Sequence, residues 1–197
     1  MPAEKRKITP ADILASAHSA AERAQFRKKI IPTKKNRRME VGPFATFYFE
    51  NYETMWMQVQ EMLHIEKGGT EQIGGELEAY NPLIPQGDEL IATLMLEIEN
   101  VDVRNRELFR LAGIEESIYI ELNQERIAAT PTEYDDRTTP DGKTSSVHWV
   151  RFKFSPEQIA KFRDASVTAV LGVAHPAYGH MAVIPPDVRS ELSKDFA

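Results

Sequence analysis

The run Leu90-Ile-Ala-Thr-Leu-Met-Leu-Glu-Ile98 is broken only by Thr93 and Glu97 and contains neither glycine nor proline. Successive residues of a strand point to opposite faces, so a segment apolar on both predicts a central strand covered on each side. The rest of the chain must then supply flanking strands and covering helices.

Candidates for both are present. Arg38-Met-Glu-Val41 and Phe44-Ala-Thr-Phe-Tyr-Phe49, separated by Gly42-Pro43, predict a first hairpin rich in aromatic and β-branched residues. Ser117 to Leu122 alternates with period two, and Arg126 to Ala129 is its expected partner across Asn123-Gln124. Further strands are expected over Ser146 to Phe154, Val167 to Ala174 and, at an edge, Met181 to Ile184. Pro185-Pro186 introduces a short C-terminal helix. Thr9-Pro10-Ala-Asp12 carries the signals of a helix start, and the helix is expected to run to about Ile30, where Pro32 stops it. Other helices are expected from Tyr52 to about Ile65, ended by Gly68-Gly69, from Glu71 to Tyr80, from Val101 to Ala112 with Gly113 as cap, and from Pro156 to Phe162 with Ser155 as N-cap. This order predicts an α+β fold, a mostly antiparallel sheet with helices packed mainly on one side. At 197 residues the chain fits a single domain, 1–197, with a basic helical arm over about 1–38 and a flexible loop over about 130–143.

Composition excludes several chemistries. The absence of cysteine removes disulfides, thiolate nucleophiles and Cys-ligated zinc or iron–sulfur clusters. No phosphate-binding Gly-rich loop, nucleophile elbow or His-Glu-x-x-His helix is present. No apolar stretch reaches membrane-spanning length and the N-terminus reads as charged, so a cytoplasmic address is expected. Charge is uneven. Residues 1–38 hold eleven Lys/Arg against three acids, a net of +8, while the whole chain is −6 and the remainder therefore −14. Such a basic segment can dock on its own acidic body or on a polyanion, and its single aromatic, Phe26, weakens the case for nucleic acid.

The residues best suited to chemistry are three of the five histidines: His148 in Val147-His-Trp-Val-Arg-Phe152, and the pair bounding His175-Pro-Ala-Tyr-Gly-His180. Alternation places His148 on the apolar face with Val150 and Phe152, where it is either a hydrogen-bonded core residue or a ligand. His175 ends one strand, and a turn through Tyr178 and Gly179 is expected to bring His180 back beside it. Three imidazoles with a carboxylate from Glu61, Glu66 or Glu78 would suit zinc or iron with an open position. Glu61-Met-Leu-His64 also has the spacing of one di-iron half-site, but the strand-rich chain lacks the four long helices such centres need. His18 has no partner at a useful spacing and reads as a surface residue.

Five segments taken together carry a resemblance: Lys34-Lys-Asn-Arg-Arg38, Gln60-Glu-Met-Leu63 with Ile65-Glu66, Glu76 to Tyr80 with Asn81-Pro-Leu-Ile-Pro85, Ser146-Val-His148, and His175-Pro-Ala-Tyr178 with His180. In that order they resemble DUF3501, a bacterial family of unknown function, over about residues 8–182. The family pattern has Arg where this chain has His64, which sets His64 apart from any family ligand. Members resembling this chain tend to be encoded beside rubrerythrin-like and iron–sulfur oxidoreductase proteins, so the resemblance implies a role near redox or peroxide-stress metabolism. Three expectations follow: a zinc or iron protein using His148, His175 and His180; a non-enzymatic partner docking an electron-transfer protein through Lys34 to Arg38 and Thr130 to Lys143; and nucleic-acid binding through residues 34–38.

Overall fold

The computed structural model describes residues 5–13, 20–67, 69–132 and 137–197. Its centre is an eight-stranded sheet in which every described pairing is antiparallel. The strands are β1 Arg38–Val41, β2 Ala45–Glu50, β3 Glu89–Leu96, β4 Ile118–Leu122, β5 Glu125–Pro131, β6 Val147–Lys153, β7 Ala169–His175 and β8 Tyr178–Val183. They lie in the order β1-β2-β3-β6-β5-β4-β7-β8.

The apolar run of β3 is explained by its place. Leu90, Ala92, Leu94 and Leu96 face the main core with Phe47, Phe49, Val150 and Phe152, while Ile91 on the opposite face packs into a second cluster with Met55, Val59, Leu77, Leu83 and Ile84. The second cluster lies under helices α2, Tyr52–Glu66, and α3, Gly69–Tyr80, which cover the outer face of β2, β3 and β6. Asn51 caps α2, its side chain accepting from Thr54 N at 2.9 Å, and Lys67 ends the helix in the left-handed region. Helix α4, Val101–Arg110, and the 3-10 turn Ile114–Ser117 add Leu108 and Ile114 to the main core; α5, Pro156–Arg163, and α6, Pro186–Leu192, add Phe162, Val188 and Leu192. The molecule is thus α+β. Among the described residues no helix is long and apolar enough to cross a membrane.

The sheet curls until its edges meet. Strand β1 touches β7 and β8, and the Tyr178 hydroxyl on β8 donates to Val41 O at 2.7 Å while accepting from Phe44 N at 2.8 Å and Ala45 N at 2.9 Å. Gly42, at φ +72°, makes this seam possible. A Cβ there would lie 2.6 Å from Cγ of His180 and 2.7 Å from the Tyr178 hydroxyl.

Two local expectations are corrected. The N-terminal helix does not run from Thr9 to Ile30. Pro10–Asp12 is one 3-10 turn, Ile13 is extended, and helix α1 spans Ala20–Lys35 with Pro32 inside it. A proline in mid-helix removes one backbone donor and costs about 3 kcal/mol, yet tertiary anchoring outweighs that preference. Phe26 stacks edge-on against Trp56 of α2 at 5.2 Å, and Arg37 just past the helix is buried. His18 lies outside the described residues. The last hairpin also turns earlier than expected: His175 pairs with Tyr178 across Pro176-Ala177, so Tyr178 and Gly179 belong to strand β8. In the segment expected to be a loop, β5 continues to Pro131, and a Thr138 to Thr144 bridge ties the far arm.

Candidate functional site

The register places all three histidines at one end of the curled sheet. His148 opposes Leu94 near the start of β6, His175 ends β7, and His180 opposes Val173 on β8. His148 is on the inner face, as alternation requires, with 1% of its surface exposed. Its Nε2 lies 2.9 Å from Ser145 O and 3.3 Å from the Thr144 hydroxyl, while Nδ1 lies 3.5 Å from Glu115 Oε2 on the Ile114–Ser117 turn. Burial pushes the His148 pKa below its ordinary value, against the opposing pull of Glu115. Nε2 of His175 is 3.1 Å from Ala112 O and its Nδ1 accepts from Ala177 N at 3.2 Å, so the ring clamps its own turn to the end of α4. His180 stands edge-on to the Tyr178 ring at 4.5 Å and covers Gly42.

The three carboxylates considered with them are elsewhere. Glu61 on α2 pairs with Arg27 at 2.7 Å, Glu66 accepts from Gln72 at 2.6 Å, and Glu78 is exposed on α3. All belong to the helical layer, not to the histidine end. Among the described residues no three His, Asp or Glu side chains gather closely enough to hold a metal ion.

A different set of polar groups converges beneath α2 and α3. Tyr48, Thr93 and Trp149 form a row across the outer faces of β2, β3 and β6, since Tyr48 pairs with Thr93 and Thr93 with Trp149. Above this row lies a cavity of about 370 Å³, walled by Lys34, Arg37, Glu50, Thr54, Met55, Gln58, Tyr80, Leu83, Met95 and Val147 as well. That volume is at the lower end of the usual range for small-molecule sites.

Glu50 is the notable group here. It is 9% exposed, and each carboxyl oxygen accepts a hydroxyl: Oε1 from Thr93 at 2.7 Å, Oε2 from Thr54 at 2.6 Å. Burial pushes its pKa up; the two hydroxyls, then Lys34 and Arg37, pull it back in part. The Thr54 hydroxyl is also within 3.1 Å of Asn51 O. Its one proton can point to the ionised carboxylate, or to Asn51 O when Glu50 itself carries a proton and donates to the Thr54 oxygen. Both charge states of Glu50 are therefore accommodated.

Arg37 builds the adjoining wall. Its guanidinium donates from Nε to Phe49 O and from Nη2 to Glu50 O, each at 2.9 Å, and Nη2 also pairs with Asp195. Nη1 has no hydrogen bond among the described residues, and Glu191 stands 3.6 Å from it. Trp149 carries Arg137 over its ring at 4.4 Å. Of the basic segment 34–38, Arg37 is buried, while Lys34, at the cavity, Lys35 and Arg38 are exposed, Arg38 pairing with Glu40 at 2.7 Å and Glu97 at 3.5 Å.

The family profile described as "Protein of unknown function (DUF3501)" matches residues 7–196. The chain belongs to the DUF3501 family. A crystal structure of a protein of unknown function from Burkholderia pseudomallei K96243, determined at 1.90 Å, is similar to this DUF3501 chain at 35% identity. The likeness covers 97% of this chain and 100% of that one, with a TM-score of 0.86. No curated protein matches.

Within this DUF3501 protein the segments that carried the resemblance divide between the two regions. Lys34, Arg37, Tyr80, Leu83 and Val147 line the cavity, whereas His148, His175 and His180 build the seam end. Glu50 was missed by reasoning from sequence. The signal that points to it is an acid closing an aromatic strand, together with Thr93, a polar residue inside the one strand that had to be covered on both faces.

Proposed function

We propose that this DUF3501 protein binds a small organic molecule in the cavity between α2, α3 and the outer face of β2, β3 and β6, with Glu50 as its protonatable group. The observation that carries this reading is a buried carboxyl, held by two threonine hydroxyls, in the wall of a concave site lined by Lys34 and four aromatic residues, Tyr48, Phe49, Tyr80 and Trp149. Buried titratable groups with displaced pKa in a cleft are candidate functional groups.

Zinc or iron at His148, His175 and His180, and with it a redox role, draws no support from the geometry, because among the described residues no three His, Asp or Glu side chains gather closely enough to hold an ion. Docking of an electron-transfer protein or nucleic acid through 34–38 would have to use Lys34, Lys35 and Arg38, which are exposed, since Arg37 is buried and paired with Asp195.

Ligand-observed NMR against a library of small acids, amides and alcohols tests the proposal. Binders should appear for the native protein and be lost in Val147→Phe, which fills the cavity floor without removing a polar group. An empty screen, or binders indifferent to that substitution in a folded variant, would refute it.

A further inference from the structure

Resting on the cavity reading above, we infer that the ligand is a small organic acid, whose carboxylate meets Lys34 and a protonated Glu50 while its flat apolar body lies over Tyr48 and Trp149. The polar wall sets the sign of the ligand's charge. Lys34 from α1 and Arg37 from the link into β1 are the cationic groups facing Glu50. Among the described residues of the other elements packed against it, Glu50 meets the neutral hydroxyls of Thr54 on α2 and Thr93 on β3; Tyr80 and Tyr48 line the same walls, the Tyr48 hydroxyl donating to Glu97 at 2.8 Å. Two further acids, Asp195 and Glu191, are engaged with Arg37.

Lys34 lines the cavity while remaining exposed, and it interacts electrostatically with Glu50. A ligand carboxylate entering between them would take up the Lys34 charge. It would also repel an ionised Glu50, so binding favours the protonated acid, which turns its O–H from the Thr54 oxygen to the incoming carboxylate while the Thr54 hydroxyl turns back to Glu50. The only covalent bond made is the Glu50 O–H, and the only one broken is that of the solvent or buffer acid that supplies the proton. The remaining walls, Met55, Leu83, Met95, Val147 and the Tyr48 to Trp149 row, suit an unsaturated or aromatic body more than a polyhydroxylated one. A cationic ligand caged by the same aromatics would have to displace Lys34 and sit beside Arg37, which the charge distribution disfavours.

The test uses three probes of one shape: phenylacetate, neutral phenylacetamide and cationic benzylammonium. Trp149 fluorescence reports binding in a Trp56→Phe background, since Trp56 lies outside this cavity. Phenylacetate is expected to bind about tenfold more tightly than either of the others, and Lys34→Gln is expected to abolish that preference while sparing phenylacetamide. Phenylacetate stays ionised well above the ordinary carboxylate range, yet its affinity should fall as pH rises and Glu50, raised by burial, loses its proton. Calorimetry in two buffers of unlike ionisation enthalpy should show proton uptake on binding. Glu50→Gln keeps a hydrogen-bond donor but cannot titrate, so whatever affinity it has should show neither the pH dependence nor the uptake. Equal binding of acid and amide, or tighter binding of the cation, overturns the inference and leaves the cavity reading intact. So does a pH profile identical in native protein and Glu50→Gln. Failure of all three probes together with an empty library screen removes the cavity reading itself.

Discussion

The histidine end and the cavity are both polar regions built on the same sheet, and they use their polar groups in opposite ways. At the histidine end His175 and Tyr178 are hydrogen-bonded to backbone carbonyls and amides that belong to other elements, and the result is a closed seam. In the cavity wall the partners of Glu50 are side-chain hydroxyls that can reverse direction, and the nearby ammonium of Lys34 acts on it through space. Groups locked to backbone stabilise a fold; groups held by reorientable partners can exchange a proton or a ligand. Residue type alone pointed to the first region, and partner type points to the second.

The largest effect expected from this contrast is at the seam. Tyr178→Phe keeps the ring and removes only the hydroxyl, leaving Val41 O and the amides of Phe44 and Ala45 without their shared partner. Each buried polar group left unsatisfied costs roughly 1–3 kcal/mol, so a loss of about 4 kcal/mol in unfolding free energy is expected from urea denaturation. A change below about 1 kcal/mol would mean the curled edges are held by packing alone, and the seam would lose its claim to being the structural region.

How far these regions were legible in the sequence follows from the range of the contacts that make them. Covered faces of β3, the inward turn of His148, the β4 to β5 hairpin at Asn123-Gln124 and the Ser155 cap of α5 all depend on neighbours a few residues away, and all were readable. The hairpin turn needs positive φ at both central residues, which Asn123 and Gln124 adopt at +46° and +73°. Glu50 was invisible because its decisive partner Thr93 is 43 residues away, and the burial of Arg37 rests on Asp195, 158 residues away. The continuation of α1 through Pro32 has the same cause: local preference yields to anchors on α2 and inside the core. The histidines were legible as candidates because their residue type is rare in this chain, but rarity carries no information on which carbonyl or hydroxyl a ring will meet.

The second way to test the contrast is by pH, because the two regions respond with opposite sign. Asp195, which holds Arg37 in the cavity wall, is pushed up to about 6 from an ordinary 3.8, mainly by burial and against the pull of Arg37. The folded protein then binds this proton more tightly than the unfolded chain does. The stability it contributes is fully present below about pH 3.8 and is lost as pH rises through 6, by about 3 kcal/mol in all. His148 is shifted the other way, below 6.5, so its contribution is present above that pH and is lost as pH falls below it. The two contributions overlap between about pH 3.8 and 6.5 with opposite slope. Asp195→Asn should therefore steepen the rise of stability with pH in that window, whatever the substitution costs at every pH, and His148→Gln should steepen its fall. Changes of slope that do not add in the double variant would mean that the two regions are not electrostatically independent.

The smallest expected effect is none. If His148, His175 and His180 serve the seam, protein purified without a histidine tag should carry the same trace of zinc and iron, by elemental analysis, as a His175→Ala, His180→Ala double variant, and chelation should leave its melting temperature unchanged. Loss of His175 removes the contact to Ala112 O and that of His180 uncovers Gly42, so the double variant should melt somewhat earlier for reasons unrelated to metal. Melting alone does not discriminate, and the metal content does. A stoichiometric ion in the native protein that disappears in the double variant would require the imidazoles to leave their backbone partners and gather, making the histidine end the reorganisable region and reversing the comparison.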